Sequence, residues 1–271
     1  MIKKVPLFGF DFWGATNEEE VVNEIMDNSE ELYKKGNISF LLTPNSYDIA
    51  LYFLKYTSIY HSLQSSAVVL ADGMPIVWVS KLYSQSLENR ITGSNLFPVL
   101  WNAIKKNNKK AFFILADEKI AEKICSEYLQ SQYAIPKFFD AGDDAYVSEF
   151  VQQHLQQIKD LTPDFIFIGV TIPKQQKIAL ELYRQLSPDA ADFNCLIAVL
   201  GGSFEFYLGL KKRAPAFFQK SGMEWMYRLM QEPKRLWKRY TVGNLQFMYV
   251  ALVYLIKNNF LNESFKKKHS R

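Results

Sequence analysis

As far as Gly202, short apolar runs alternate with longer amphipathic stretches. Residues 38–42, 67–70, 111–115, 165–168 and 196–200 are apolar with little or no polar alternation, the pattern of strands buried on both faces. Between them the spacing is helical. Thr16-Asn17-Glu18-Glu19 is a capping box that opens a helix running to about Asn28. Further helices are predicted over residues 48–63, 75–82, 95–106, 118–129, 145–159 and 174–186. Strand–helix alternation of this kind predicts an α/β fold with a largely parallel sheet flanked by helices. After Gly202 the alternation stops, and the remainder is helical, basic and aromatic. The chain therefore divides into an α/β core over residues 1–209 and a helical C-terminal appendage over 210–271.

Charge sharpens that division. Residues 210–271 hold 14 Lys/Arg against three acids, whereas the preceding 209 carry a balance of −7. A mildly acidic body with a strongly basic tail calls for an anionic partner: nucleic acid, a phosphorylated substrate or an anionic membrane surface. Apolar residues at 48% and charged residues at 22% exclude a disordered chain. The two cysteines, Cys125 and Cys195, lie in apolar-patterned stretches and read as reduced core residues of a cytosolic protein. Three scattered histidines give no zinc pattern. Asp11 interrupts the only apolar run after Lys3 and Lys4, which argues against a secretory signal, and no run is long enough to span a bilayer.

In a parallel sheet, ligands collect at the carboxyl ends of the strands. Here those ends run into Thr43-Pro44-Asn45, Asp72-Gly73, Gly169 with Pro173-Lys174-Gln175-Gln176, and Gly201-Gly202-Ser203. Turn formation alone explains many such residues. Asp72 follows a buried run and suits proton abstraction, while Asp-Gly is also a common tight-turn pair. Thr43 and Asn45 suit either a substrate hydroxyl or the cap of the following helix. Arg90-Ile91-Thr92-Gly93-Ser94-Asn95 puts a guanidinium ahead of a helix start, an arrangement fit for an anion. Asp143-Asp144 lies in a glycine-containing loop, as solvated turn acids or a cation site. No dinucleotide fingerprint, Walker loop or serine nucleophile elbow occurs, so no cofactor is expected.

Taken in order, these motifs resemble the WecG/TagA/CpsF glycosyltransferases. The resemblance rests on Thr43-Pro44-Asn45, Ala71-Asp72-Gly73-Met74-Pro75, Arg90-Ile91-Thr92-Gly93, Gly169 with Pro173-Lys174-Gln175, and Arg213-Ala214-Pro215. It continues through Gly222-Met223-Glu224-Trp225-Met226-Tyr227-Arg228, Glu232-Pro233-Lys234-Arg235-Leu236 and Lys238-Arg239-Tyr240. It implies a Rossmann-like core and an inverting, metal-independent transfer from a UDP-sugar to a polyprenyl-diphosphate-linked glycan, in teichoic acid or other cell-surface polysaccharide synthesis. The setting it implies is peripheral, at the cytoplasmic face of the membrane. It makes Asp72 the general base, with Thr43 and Asn45 beside it. Arg90, Thr92, Gly93, Gly169, Pro173, Lys174, Gln175, Gly201 and Gly202 are then expected to bind substrate. Arg228, Arg235, Lys238 and Arg239 of the tail are expected to reach the donor diphosphate.

Three departures from the family pattern fall at Gln176, Asn95 and Glu205, where acids (for Glu205, an Asp) are usual, and bear on donor choice. The alternative reading is an inactive relative that binds lipid phosphate or scaffolds an assembly complex. A nucleic-acid partner, stacking on Trp225, Trp237 and Tyr240, is not expected for want of any such motif. A homo-oligomer is left open. Leu245 to Ile256 is expected to lie in the headgroup region beside Lys211, Lys212, Lys257, Lys266, Lys267 and Lys268, or else to be a core helix.

Overall fold

Burial on both faces is what the unbroken apolar runs require, and one sheet supplies it. The computed structural model describes residues 2–27, 38–64, 68–83, 85–187, 194–215, 217–218 and 222–269, with backbone alone at Arg235 and residues 258–269. Eight strands are formed: β1 (Lys4–Leu7), β2 (Phe10–Trp13), β3 (Ile38–Leu42), β4 (Val68–Val69), β5 (Ala111–Leu115), β6 (Ser131–Ala134), β7 (Phe165–Gly169) and β8 (Cys195–Val199). Their order is β1-β2-β4-β3-β8-β7-β5-β6. All neighbours are parallel except β1 and β2, which form a hairpin. Its two-residue loop, Phe8-Gly9, has φ of 52° and 70°. Two positive φ values in succession match the twist of a tight hairpin, and Gly9 accepts one of them without strain.

Alternate residues of each strand enter opposite cores. Phe112, Ile114, Ile166, Ile168 and Ile197 face α2 (Ser46–Leu54), α3 (Thr57–Leu63), α4 (Met74–Ser80), α7 (Asp144–Leu161) and α8 (Lys174–Leu186). Phe113, Phe167, Leu196 and Ala198 face α1 (Glu18–Asp27), α5 (Gly93–Lys106), α6 (Glu118–Cys125) and the short α9 (Ser203–Tyr207). On this second side Phe113 stacks on Phe167 at 5.0 Å between centroids, and Phe97 meets Phe204 edge-on at 4.7 Å. Each such fully buried side chain contributes about 1.5–3 kcal/mol.

The appendage forms α10 (Glu224–Gln231), α11 (Pro233–Tyr240) and α12 (Val242–His269). α12 lies against the body: Phe247, Val250 and Ala251 are buried in the first core, and Phe8 contacts the rings of Phe247 and Tyr254. Gly243 makes the approach to α2 possible, since a Cβ there would stand 2.5 Å from the Tyr47 ring.

Several elements differ from the sequence pattern. The single helix predicted over 48–63 is two, α2 and α3, separated at Lys55 and Tyr56. The break lets Tyr60 turn inward and donate to the Phe8 carbonyl at 3.0 Å. β1, β2 and β6 carry too few consecutive apolar residues to be read as strands; β1 and β6 are the sheet edges, where one flank needs no buried neighbour. Ala67 and Asn28 lie outside the described residues, and β4 is the pair Val68–Val69.

Candidate active site

The carboxyl ends of β3, β4, β7 and β8 open into one cavity of about 900 Å3, and the appendage forms its other wall. From the body come Thr43, Asn45, Asp48, Tyr52, Asp72, Arg90, Thr92, Gly169, Gln175, Gln176, Gly201 and Gly202. From the appendage come Glu224, Trp225, Arg228, Arg239 and Tyr240.

Backbone bonds place Asp72. Leu70 donates its N–H to the Leu42 carbonyl at 2.9 Å, Asp72 to Pro44 at 3.0 Å, and Ile91 to Ala71 at 3.0 Å. The ends of β3 and β4 and the Arg90 loop are thereby stitched together around one carboxylate. Burial pushes the Asp72 carboxyl up to about 6; Arg228 opposes this, Glu224 adds to it, Arg90 opposes and Asp48 adds. A carboxylate of that strength is ionised at neutral pH and still a competent proton acceptor.

The neighbouring acids are engaged. Asn45 caps α2, its Oδ1 accepting from the N–H groups of Tyr47 at 3.0 Å and Asp48 at 3.3 Å, while Asp48 accepts from the Asn45 backbone and side chain at 3.1 and 2.7 Å. Capping is therefore what Asn45 does, on the cavity wall. Burial raises Asp48 above the ordinary carboxylate range, against the pull of Arg239 and of the Asn45 backbone bond. Glu205 pairs with Lys211 at 2.5 Å, and Asp117 caps α6. Glu224 pairs with Arg90 at 2.6 Å. The Asp72 carboxylate has no hydrogen bond or ion pair among the described residues.

The cations divide similarly. Arg90 is held by Glu224. The guanidiniums of Arg228 and Arg239 lie over the rings of Phe206 and Tyr47, at 5.4 and 5.3 Å, and form no ion pair among the described residues. They are supported by aromatic faces and left open to an anion.

Other expected residues take varied positions. Thr92 caps α5, its Oγ1 accepting from Asn95 N–H at 3.2 Å, and also lines the cavity. Gly93 lies behind the wall, where a Cβ would come within 2.7 Å of Ser203 Oγ and 3.2 Å of Thr43 Oγ1. Gly169 lets Phe204 and Leu115 close in, since a Cβ would stand 2.6 Å from both. Gly201, at φ 55°, and Gly202 turn the chain along the rim. Pro173 is off the wall, and Lys174 points to Phe138 and Phe139, 4.6 and 4.7 Å from their centroids. Gln175 is buried on the wall with its Oε1 unpartnered. Lys238 is exposed away from the cavity, and the side chain of Arg235 lies outside the described residues.

Of the three departures, Gln176 lies on the floor and donates to the Tyr52 hydroxyl at 2.9 Å. Asn95 is off the wall and accepts a bond from Arg213. Sequence reasoning missed Glu224, Asp48 and Tyr52. Asn45-x-x-Asp48 carries a capping-box pattern that signals Asp48; Glu224 stands in the Gly222–Arg228 motif, but nothing local signals its pairing with Arg90.

The model of the family described as glycosyl transferase WecG/TagA/CpsF matches residues 5–260. Three bacterial proteins named N-acetylglucosaminyldiphosphoundecaprenol N-acetyl-beta-D-mannosaminyltransferase are similar to the chain. The one from Bacillus subtilis is 31% identical over 219 residues, covering 80% of this chain and 81% of its own. The one from Bacillus spizizenii is 38% identical over 180 residues, 65% of each chain. The one from Staphylococcus aureus strain MW2 is 28% identical over 253 residues, 91% of each.

Proposed function

Because the chain belongs to the WecG/TagA/CpsF glycosyltransferase family, we propose that it transfers N-acetylmannosamine from a UDP-linked donor to N-acetylglucosamine on undecaprenyl diphosphate, inverting the anomeric carbon. The observation that carries this reading is that one cavity holds a carboxylate, Asp72, and two guanidiniums, Arg228 and Arg239, that have no ion-pair partner among the described residues. The relatives' names supply the sugars.

In the proposed reaction, Asp72 takes the proton of the acceptor hydroxyl as its oxygen attacks the anomeric carbon. The bond from that carbon to the donor diphosphate breaks, and UDP departs from the opposite face. One base suffices, since no covalent intermediate forms; paired carboxylates belong to most glycosidases. Charge developing on the departing diphosphate falls to Arg228 and Arg239, preplaced on the cavity wall. The described residues contain no group of three or more His, Cys, Asp or Glu able to hold a metal ion, so guanidinium is the cation on hand. Thr43 and the unpartnered Oε1 of Gln175 are available to sugar hydroxyl or amide donors.

The lipid acceptor calls for a membrane surface, and α12 offers one. Leu245, Met248, Tyr249, Leu252 and Ile256 are each more than half exposed and recur at helical spacing, opposite the buried Phe247, Val250 and Ala251. The helix is thus apolar on two sides, one against the body and one outward. With Lys212, Lys234, Lys238 and Lys257 exposed nearby in sequence, the outward side suits peripheral docking on an anionic leaflet. No helix among the described residues is long and apolar enough to cross a membrane. The side chains of Lys266, Lys267 and Lys268 lie outside the described residues.

The test is to incubate the protein with UDP-N-acetylmannosamine and a short-prenyl diphosphate-N-acetylglucosamine in the presence of EDTA. UDP release with formation of a β-linked disaccharide lipid is expected. Failure to transfer this sugar, while another UDP-sugar is used, would overturn the donor assignment. Activity restored only by a divalent cation would overturn the arginine role.

A further inference from the structure

We infer that Glu224 is a positioning residue for the reaction proposed above, acting through Arg90 rather than on substrate. Its Oε2 accepts from Arg90 Nη2 at 2.6 Å, and the two side chains are only 11% and 17% exposed. They stand 134 residues apart in the chain, on different walls of the cavity. A partly buried pair of this kind is costly to desolvate, so its presence at the cavity wall asks for a use beyond stability.

The local geometry brings Glu224 there. Gly222, at φ 74°, passes so close to α4 that a Cβ would stand 3.0 Å from Met74 Cγ, and two residues later Glu224 opens α10. From Arg90 the link continues through its neighbour Ile91, whose N–H is bound to Ala71, into Asp72. The appendage is thereby tied to the loop carrying the base. Glu224 also acts on that base by charge. Asp72 is faced by Arg228 and Glu224 of α10, by Arg90 and by Asp48 of α2. Neutralising Glu224 removes a negative neighbour and leaves the Arg90 charge less compensated. Both changes favour the Asp72 carboxylate.

The test is a double-mutant cycle with Glu224→Gln, Arg90→Ala and the pair, measuring kcat, KM and the pH profile. Glutamine keeps the shape and an acceptor for Arg90, so the fold is retained, and thermal unfolding checks it. Each single change is expected to lower kcat/KM about tenfold, with the double variant no worse than the weaker single. The acid limb of Glu224→Gln is expected to move below that of the unmodified protein by roughly half a pH unit. Glu224→Asp should restore the limb. Additive effects, or a limb that does not move in Glu224→Gln, would overturn the inference; the limb position is readable even if only part of the sample is active. An Asp72→Asn control separates this from the underlying reading. If the limb persists in that variant, Asp72 is not the titrating base, whereas the Arg90–Glu224 coupling is judged by the cycle alone.

Discussion

Replacing Asp72 by Asn tests the base most directly, because it removes one proton site and almost no volume. The side chain is placed by backbone bonds from Asp72, Leu70 and Ile91, which the substitution leaves intact. Loss of a positioned general base lowers turnover by roughly 10²–10⁴, about 3–5.5 kcal/mol of barrier. The pH dependence follows from the elevated carboxyl at about 6. Below that value the group is protonated and transfer falls about tenfold per unit; by about pH 7 it is roughly nine-tenths ionised and activity levels off. Stability runs the other way. A carboxyl raised in the fold above its unfolded value favours the protonated form, so the native state loses stability as pH rises through about 6 and keeps it below about 4. The Asn variant escapes that loss. It is expected to be more stable than the unmodified protein at neutral pH by about 1–2 kcal/mol, after allowing for the partial exposure of the group, and equal to it in acid. Continuous UDP-release assays across the acid limb and thermal unfolding at both pH values measure the two effects. Near-normal turnover in the Asn variant, or a limb at the ordinary carboxylate value, would refute the reasoning.

Arg228→Ala and Arg239→Ala should each weaken UDP binding about tenfold or more by calorimetry, with Lys at either position restoring only part, because a point charge does not replace a bidentate fork. Gly169→Ala should cost about 1–3 kcal/mol in denaturant unfolding, since the new methyl would stand 2.6 Å from Leu115 and the Phe204 ring. Leu245→Asp with Leu252→Asp should reduce co-sedimentation with anionic vesicles while sparing transfer to a water-soluble acceptor; loss of both activities together would show that the outward face of α12 serves the fold instead.

What the sequence determined by itself was the part that local physics controls. A parallel strand buried on both faces must be apolar at every position, so β3, β4, β5, β7 and β8 were legible as apolar runs, and the polar residues after β3, β4 and β7 marked Thr43, Asn45, Asp72 and Gln175. The hairpin β1–β2 and the edge strand β6 were not, because an edge or a Pro6- and Asp11-containing strand is stabilised by its pairing partner more than by its own pattern. Along a helix, neighbours diverge by about 100°, which is why Gln175 reaches the cavity while Lys174 turns to Phe138 and Phe139. Which charge meets which is settled only by folding. Glu224 and Arg90 are joined across 134 residues, and that pairing leaves Arg228 and Arg239, not Arg90, open to an anion. The two apolar sides of α12 are likewise equivalent in sequence until Gly243 and Phe247 seat one of them against α2 and the body, and so decide which side faces outward.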